Sequence, residues 1–240
     1  MNTETLTAAA TDIPARESTS PALTSATQSS FALTPPHAPA SMAITKRDGR
    51  REPVDVGKIV RAVTRCSDGL NEIDPMRVAL KTIAGIYDGA TTRELDELSI
   101  RTAAAFTAEE PQYARLAARL LAGYIDKEVQ GLGVHSFSQS IALGAELGLI
   151  NDRVRQAVET HARKFNDAID VARTGRFEYF GLRTLYDRYL LRHPTRRHVI
   201  ETPQHFFMRI AVALGDRHAH RRMRRSQGEA GLCDARRRRR

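Results

Sequence analysis

The sequence predicts an α+β fold, predominantly α: a short β-hairpin covers a four-helix bundle, and a further helical segment follows. Three observations carry this. An Asp48-Gly49 turn separates two short runs at 43–46 and 52–54. Apolar residues then recur at helical spacing from Ile59 to Tyr124. Cap signals punctuate that stretch at Asp55, Thr91 and Pro111.

The hairpin comes first. Ala43-Ile44-Thr45-Lys46 leads into Asp48-Gly49, and Glu52-Pro53-Val54 returns. Asp-Gly is a strong hairpin signal because both positions tolerate positive φ. Asp55 sits where a helix cap belongs, and Ile59, Val60, Val63 and Cys66 form one face of the helix it opens. Cys66 there reads as a buried small hydrophobe. A second helix is predicted over 75–86, with Met76, Ala79, Ile83 and Ile86 on its core side. Gly89 breaks the chain. Thr91 with Glu94 is a capping-box pattern, so a third helix runs to about Phe106 with Thr92 in its first turn. Pro111 opens a fourth, whose core face is Leu116, Leu120, Leu121 and Tyr124, and Gly131 and Gly133 end it.

Beyond 135, Ser136 with Gln139 suggests another capping box before Ile141, Leu143 and Leu147. Further helices are expected at 151–163, 181–191 and 203–214, the last capped by Thr202 with Pro203 at its first position. Residues 1–42 are rich in Ala, Thr, Ser and Pro, and read as a disordered extension that cannot bury enough apolar surface to offset its ordering entropy. At Gly215 the apolar periodicity stops, and an Arg-rich tail is expected to be disordered over 215–240.

The net charge is +9, but residues 216–240 hold ten arginines against Asp216, Glu229 and Asp234. The tail therefore carries +7 and the other 215 residues only +2. Basicity belongs to the tail, which argues against a nucleic-acid-binding folded surface. Three readings of the tail stay open: a solvated charge run, a nucleic-acid arm, and an out-of-frame or truncated end. The abrupt shift in composition favours the third. No run of 18 apolar residues occurs, so no spanning helix is expected. No secretory signal is recognisable, and Cys66 and Cys233 make neither a disulfide framework nor a zinc site, so a cytoplasmic setting is expected. The eight histidines show no ligand spacing and no carboxylate pattern near them, and read as structural or solvated.

The segment with chemical content is Ile44-Thr45-Lys46-Arg47-Asp48-Gly49, followed by Glu52, Asp55 and Lys58. Adjacent cations beside a tight turn suit a polyphosphate, since charge-assisted hydrogen bonds are the stronger ones. Alone, this run is equally an exposed hairpin turn. The wider pattern is more specific. Lys46-Arg47-Asp48-Gly49, Lys58-Ile59, Tyr87-Asp88-Gly89 with Thr92, and Leu116-Ala117-Ala118-Arg119-Leu120 followed by Lys127 together resemble the ATP-cone of ribonucleotide reductase large chains over 43–130. Phe177-Glu178-Tyr179-Phe180-Gly181, Leu185-Tyr186-Asp187-Arg188-Tyr189-Leu190 and Glu201-Thr202-Pro203-Gln204 with Phe207-Met208-Arg209 resemble the start of the reductase catalytic region, over 135–214.

That resemblance implies an ATP or dATP effector with Mg2+, and a pocket made of nine residues. Lys46, Arg47 and Lys127 would hold the phosphates, and Thr92 would offer them a hydroxyl. Glu52 and Asp55 would lie toward the adenine or ribose, Lys58 beside the nucleotide, and Ile44 and Ile59 against the base. Asp96 departs from relatives that carry a histidine there, and a carboxylate at that point would repel phosphate. The resemblance further implies a small radical-generating subunit and a second large chain as partners, with no membrane and no nucleic acid. The family's catalytic cysteines lie downstream of the matching region, so neither catalytic nor metal-binding residues are expected here and the chain alone is expected to be inactive. The competing reading is a nucleotide-responsive DNA-binding regulator that also carries an ATP-cone. That class places a four-cysteine zinc ribbon before the cone, and residues 1–42 contain no cysteine.

Overall fold

In the hairpin, β1 (Ala43–Thr45) pairs antiparallel with β2 (Arg51–Pro53), Ile44 opposite Glu52. The computed structural model describes residues 42–215, so the expectations for 1–41 and 216–240 lie outside the described residues. Lys46 N donates to Arg50 O and Gly49 N to Lys46 O, which makes a three-residue turn with a bulge at Gly49. Only Gly49 takes positive φ, at 84°. Asp48 does not, contrary to the expectation that both turn positions would. Its side chain instead accepts from Arg50 N and Nε at 3.0 and 2.7 Å.

Four helices follow, each begun by a local signal. Asp55 caps α1 (Val56–Cys66) and Asp74 caps α2 (Pro75–Ala84). Thr91 and Glu94 form a full capping box on α3 (Thr92–Ala105). Pro111 precedes α4 (Gln112–Gln130), after a 3-10 turn at Phe106–Ala108. The hairpin is stitched to the loop before α3: Ala43 N donates to Asp88 Oδ1, Gly89 N to Ala43 O, and Thr45 N to Ala90 O. Gly89 has φ 83°, so the Tyr87-Asp88-Gly89 run makes the bend that brings α3 under the hairpin.

One core joins α1 to α4 through Val63, Val78, Ala79, Ala103, Phe106, Tyr113, Leu116 and Ala117. On α2 the buried face is Val78, Ala79 and Thr82, rotated from the predicted one; Met76 and Leu80 are exposed. Apolar residues occur nearly all round this short helix, so spacing alone picks no unique face.

The second half is helical as expected, with different breaks. Ser136 caps α5 (Phe137–Glu146), but Gln139 Oε1 returns to His135 N rather than to the cap residue, so the box is displaced by one position. The helix predicted at 151–163 is two, α6 (Asp152–Thr160) and α7 (Ala162–Asp167), broken where His161 leaves helical φ and ψ. A 3-10 stretch, Val171–Arg176, capped by Asp170, has no counterpart among the helices that the spacing predicts. Then come α8 (Tyr179–Arg188) and α9 over 203–215. A further core holds Phe137, Ile141, Val154, Val158 and Val212.

The largest core unites the two halves. Ile100, Leu121, Tyr124, Ile125 and Val129 pack with Leu182, Leu185, Tyr186, Leu190 and Val199. Helix α4 thus has one face on the first bundle and another on α8. The buried carboxylate of Glu201 accepts from Arg209 Nε and Nη2, both at 2.9 Å, and from Leu191 N at 2.8 Å.

Candidate functional site

Beneath the hairpin, between α1, α3 and the C-terminal half of α4, lies a cavity of about 520 Å3. Its wall includes all nine residues singled out from sequence: Ile44, Lys46, Arg47, Glu52, Asp55, Lys58, Ile59, Thr92 and Lys127. The reason is local. The turn carries Lys46 and Arg47 back over the bundle, α1 starts at its mouth, and the capping box fixes Thr92 as the first residue of α3. Lys127 reaches it from the last turn of α4.

The cavity has two electrostatic ends. At one, Asp96 is clasped by two cations: its carboxylate lies 2.8 and 3.0 Å from Lys127 Nζ and 3.2 Å from Arg47 Nη2. The Arg47 guanidinium also rests 5.4 Å over the Tyr124 ring, a cation–π contact that fixes its direction. At the other, Lys46 pairs with Glu52 at 2.7 Å, and this bond holds the Glu52 carboxyl below its ordinary range. Asp55 caps α1 by accepting from Lys58 N, and Lys58 Nζ and Arg61 Nη2 lie 3.9 and 3.5 Å from it. Ile44, Val54, Ile59, Ala62 and Leu120 supply apolar wall between them. Two helix N-termini, of α1 and α3, sit at this cavity, where helix dipoles favour an anion.

Two residues have surroundings that the sequence spacing does not show. Asp96, expected to repel phosphate, is the counter-ion of Arg47 and Lys127. Cys66 is expected to be a buried hydrophobe; it is half-buried and lines the cavity, and burial pushes its thiol pKa up. Asp96 lies four positions past Thr92, on the same face of α3. His198 Nδ1 stands 3.3 Å from the buried Glu128 carboxylate, a partner that no sequence spacing announces, since 70 residues of chain separate the two.

Residues 42–128 match the ATP cone domain, and 175–228 match the ribonucleotide reductase all-alpha domain. The class is therefore an ATP-cone protein continued by reductase helices. The second match runs past Leu214, where the sequence reading ended the resemblance, into the Arg-rich stretch. The ribonucleoside-diphosphate reductase large subunit of Caenorhabditis elegans is 36% identical over 182 residues, and that of Arabidopsis thaliana 38% over 184. The large chain 2 of Saccharomyces cerevisiae is 38% identical over 184. Each alignment covers 72% of this chain, which spans only 20–23% of the length of these relatives. Over the ATP cone and the all-alpha domain the chain is thus similar to ribonucleoside-diphosphate reductase large chains. Among the described residues no helix is long and apolar enough to cross a membrane.

Proposed function

We propose that the cavity binds ATP or dATP, with Mg2+ on the phosphates, as the allosteric effector of a ribonucleoside-diphosphate reductase. The single observation that carries this is the convergence of Lys46, Arg47 and Lys127 with Thr92 and two helix N-termini on one cavity with an apolar wall. Triphosphate oxygens bond to the Arg47 guanidinium, the Lys46 and Lys127 ammonium groups and the Thr92 hydroxyl. The base lies between Ile44 and Ile59, with Glu52 and Asp55 as acceptors for its amino group or the ribose hydroxyls. A ribose with and without a 2′-hydroxyl makes different contacts at that end, and differential contacts are what let two nucleotides favour different states.

In this reading residues 43–130 are the effector domain and 135–214 the first helices of the catalytic region. The reduction itself belongs to residues outside this chain, so the chain alone has no reductase activity. Its partners are a small radical-generating subunit and a second large chain, in the cytoplasm. Calorimetric titration with ATP and dATP tests it. Lys46→Ala and Arg47→Ala each remove a charge-assisted contact, so each should weaken binding by about 1.5–3 kcal/mol, roughly 10- to 150-fold. No heat from the unsubstituted chain, or binding indifferent to both substitutions, overturns the reading.

A further inference from the structure

Two cavity residues have chain neighbours that turn the other way. Thr92 and Lys127 face the cavity; Arg93 and Glu128, the next residues, reach into the seam between the first bundle and residues 178–201. The Glu128 side chain is only 2% exposed, so it needs partners. Its Oε1 lies 3.3 Å from His198 Nδ1 and 3.7 Å from Arg93 Nη1. Its Oε2 accepts from the Tyr186 hydroxyl at 3.1 Å.

Arg93 and His198 are themselves in register: Nη1 is 3.1 Å from Nδ1 and Nη2 3.2 Å from Nε2. The tautomer that satisfies both neighbours carries its proton on Nδ1, donating to Glu128, and accepts from Arg93 at Nε2. Burial, and then the Arg93 charge, push the His198 pKa below the ordinary histidine value, in keeping with a neutral ring. A second line of contact runs parallel. Arg47 lies over Tyr124, and Tyr124 meets Tyr186 edge to face at 6.0 Å. Arg192 covers Tyr186 at 4.5 Å and donates to its carbonyl at 2.7 Å, and the His198 carbonyl accepts from His193 N. The loop 191–198 is thereby tied to both lines.

We propose that Arg93, Glu128, Tyr186 and His198 form a latch through which occupation of the nucleotide cavity is felt by residues 182–201, and through which that segment sets the affinity of the cavity. This rests on the nucleotide reading above. Phosphates and Asp96 compete for Arg47 and Lys127. A shift of Arg47 is passed to Tyr124 and Tyr186 by ring contact; a shift of Lys127 moves the last turn of α4, where Glu128 is the next residue. Close-packed interiors transmit such displacements rather than absorb them. The coupling is reciprocal by linkage, so loosening the latch must also change nucleotide affinity.

The test is hydrogen exchange on the full chain with and without ATP, with calorimetry in parallel, on the unsubstituted chain and on Arg93→Gln, His198→Ala and His198→Asn. Glu128 is left intact because removing a buried carboxylate bears on folding itself. The unsubstituted chain should bind ATP and slow exchange across 182–201 by about 3- to 10-fold, as coupling of this kind amounts to. Arg93→Gln and His198→Ala should still bind, with affinity changed by about 2- to 10-fold, and lose that slowing. His198→Asn keeps a donor toward Glu128 and should restore part of it, which a merely space-filling residue would not. If ATP binds and 182–201 do not respond, or respond equally in all variants, the latch is wrong and the nucleotide reading survives. If the unsubstituted chain does not bind ATP, both fall.

Discussion

Asp96→Asn removes one negative charge between two cations while keeping the side-chain shape. In the native chain Asp96 gains from Lys127 at 2.8 Å and Arg47 at 3.2 Å. Asp96 and Arg47 are about a quarter exposed and Lys127 about half, so each pair contributes about 0.2–1 kcal/mol, with the Lys127 pair toward the low end. A triphosphate that engages Arg47 and Lys127 forfeits both pairs and leaves a carboxylate beside its own charge. Asparagine imposes neither cost. The variant should therefore bind ATP about 3- to 10-fold more tightly, since 1.4 kcal/mol is tenfold. The gain should shrink as salt is added, because the competing pairs are partly exposed and screened. Calorimetry at low and high ionic strength measures both. Weaker binding by Asp96→Asn would refute the argument and show Asp96 acting with the ligand rather than against it.

Two further outcomes concern stability. Glu201→Ala strands Arg209 and the Leu191 amide around a buried site, and should cost about 3–5 kcal/mol in urea unfolding, whereas replacing Glu201 and Arg209 together by methionine should recover most of it. His205 is buried, its Nδ1 has no hydrogen-bond partner among the described residues, and burial pushes its pKa down to about 4. The unfolded chain takes up that proton near pH 6.5 and the folded chain only near 4, so stability should fall by about 3 kcal/mol as pH drops through that window. His205→Phe should flatten that part of the profile; an unchanged slope would count against the assignment.

Cap chemistry made most of the helix starts legible, because an Asp, Thr, Ser or Asn before an apolar run acts on its own neighbours. Asp55, Thr91 and Ser136, named from sequence, all accept from a backbone N–H within three residues, and so do Asp74 and Asn151, which were not. The cavity wall was legible for a related reason: the turn, the α1 start, the capping box and the end of α4 are each locally specified, and resemblance supplied their assembly. What spacing missed depends on contacts distant in the chain. The buried side of α2 is chosen by which neighbours it meets, not by its own period. Asp96 becomes a counter-ion only once the hairpin folds back over α3. Glu128 has its Tyr186 and His198 only when α8 and the loop after it lie along α4.

The divided allegiance of α4 has a practical corollary for protein engineering. A stretch ending at Gln130 would seem a portable effector module, ready to graft onto other enzymes. Leu121, Ile125 and Val129 contradict that, for their burial is completed by Leu182, Leu185 and Leu190. Such a graft would carry a sticky apolar flank and a homeless carboxylate at Glu128. A transplant that includes residues through Glu201 keeps both covered, so the smallest movable sensor is larger than its nucleotide pocket.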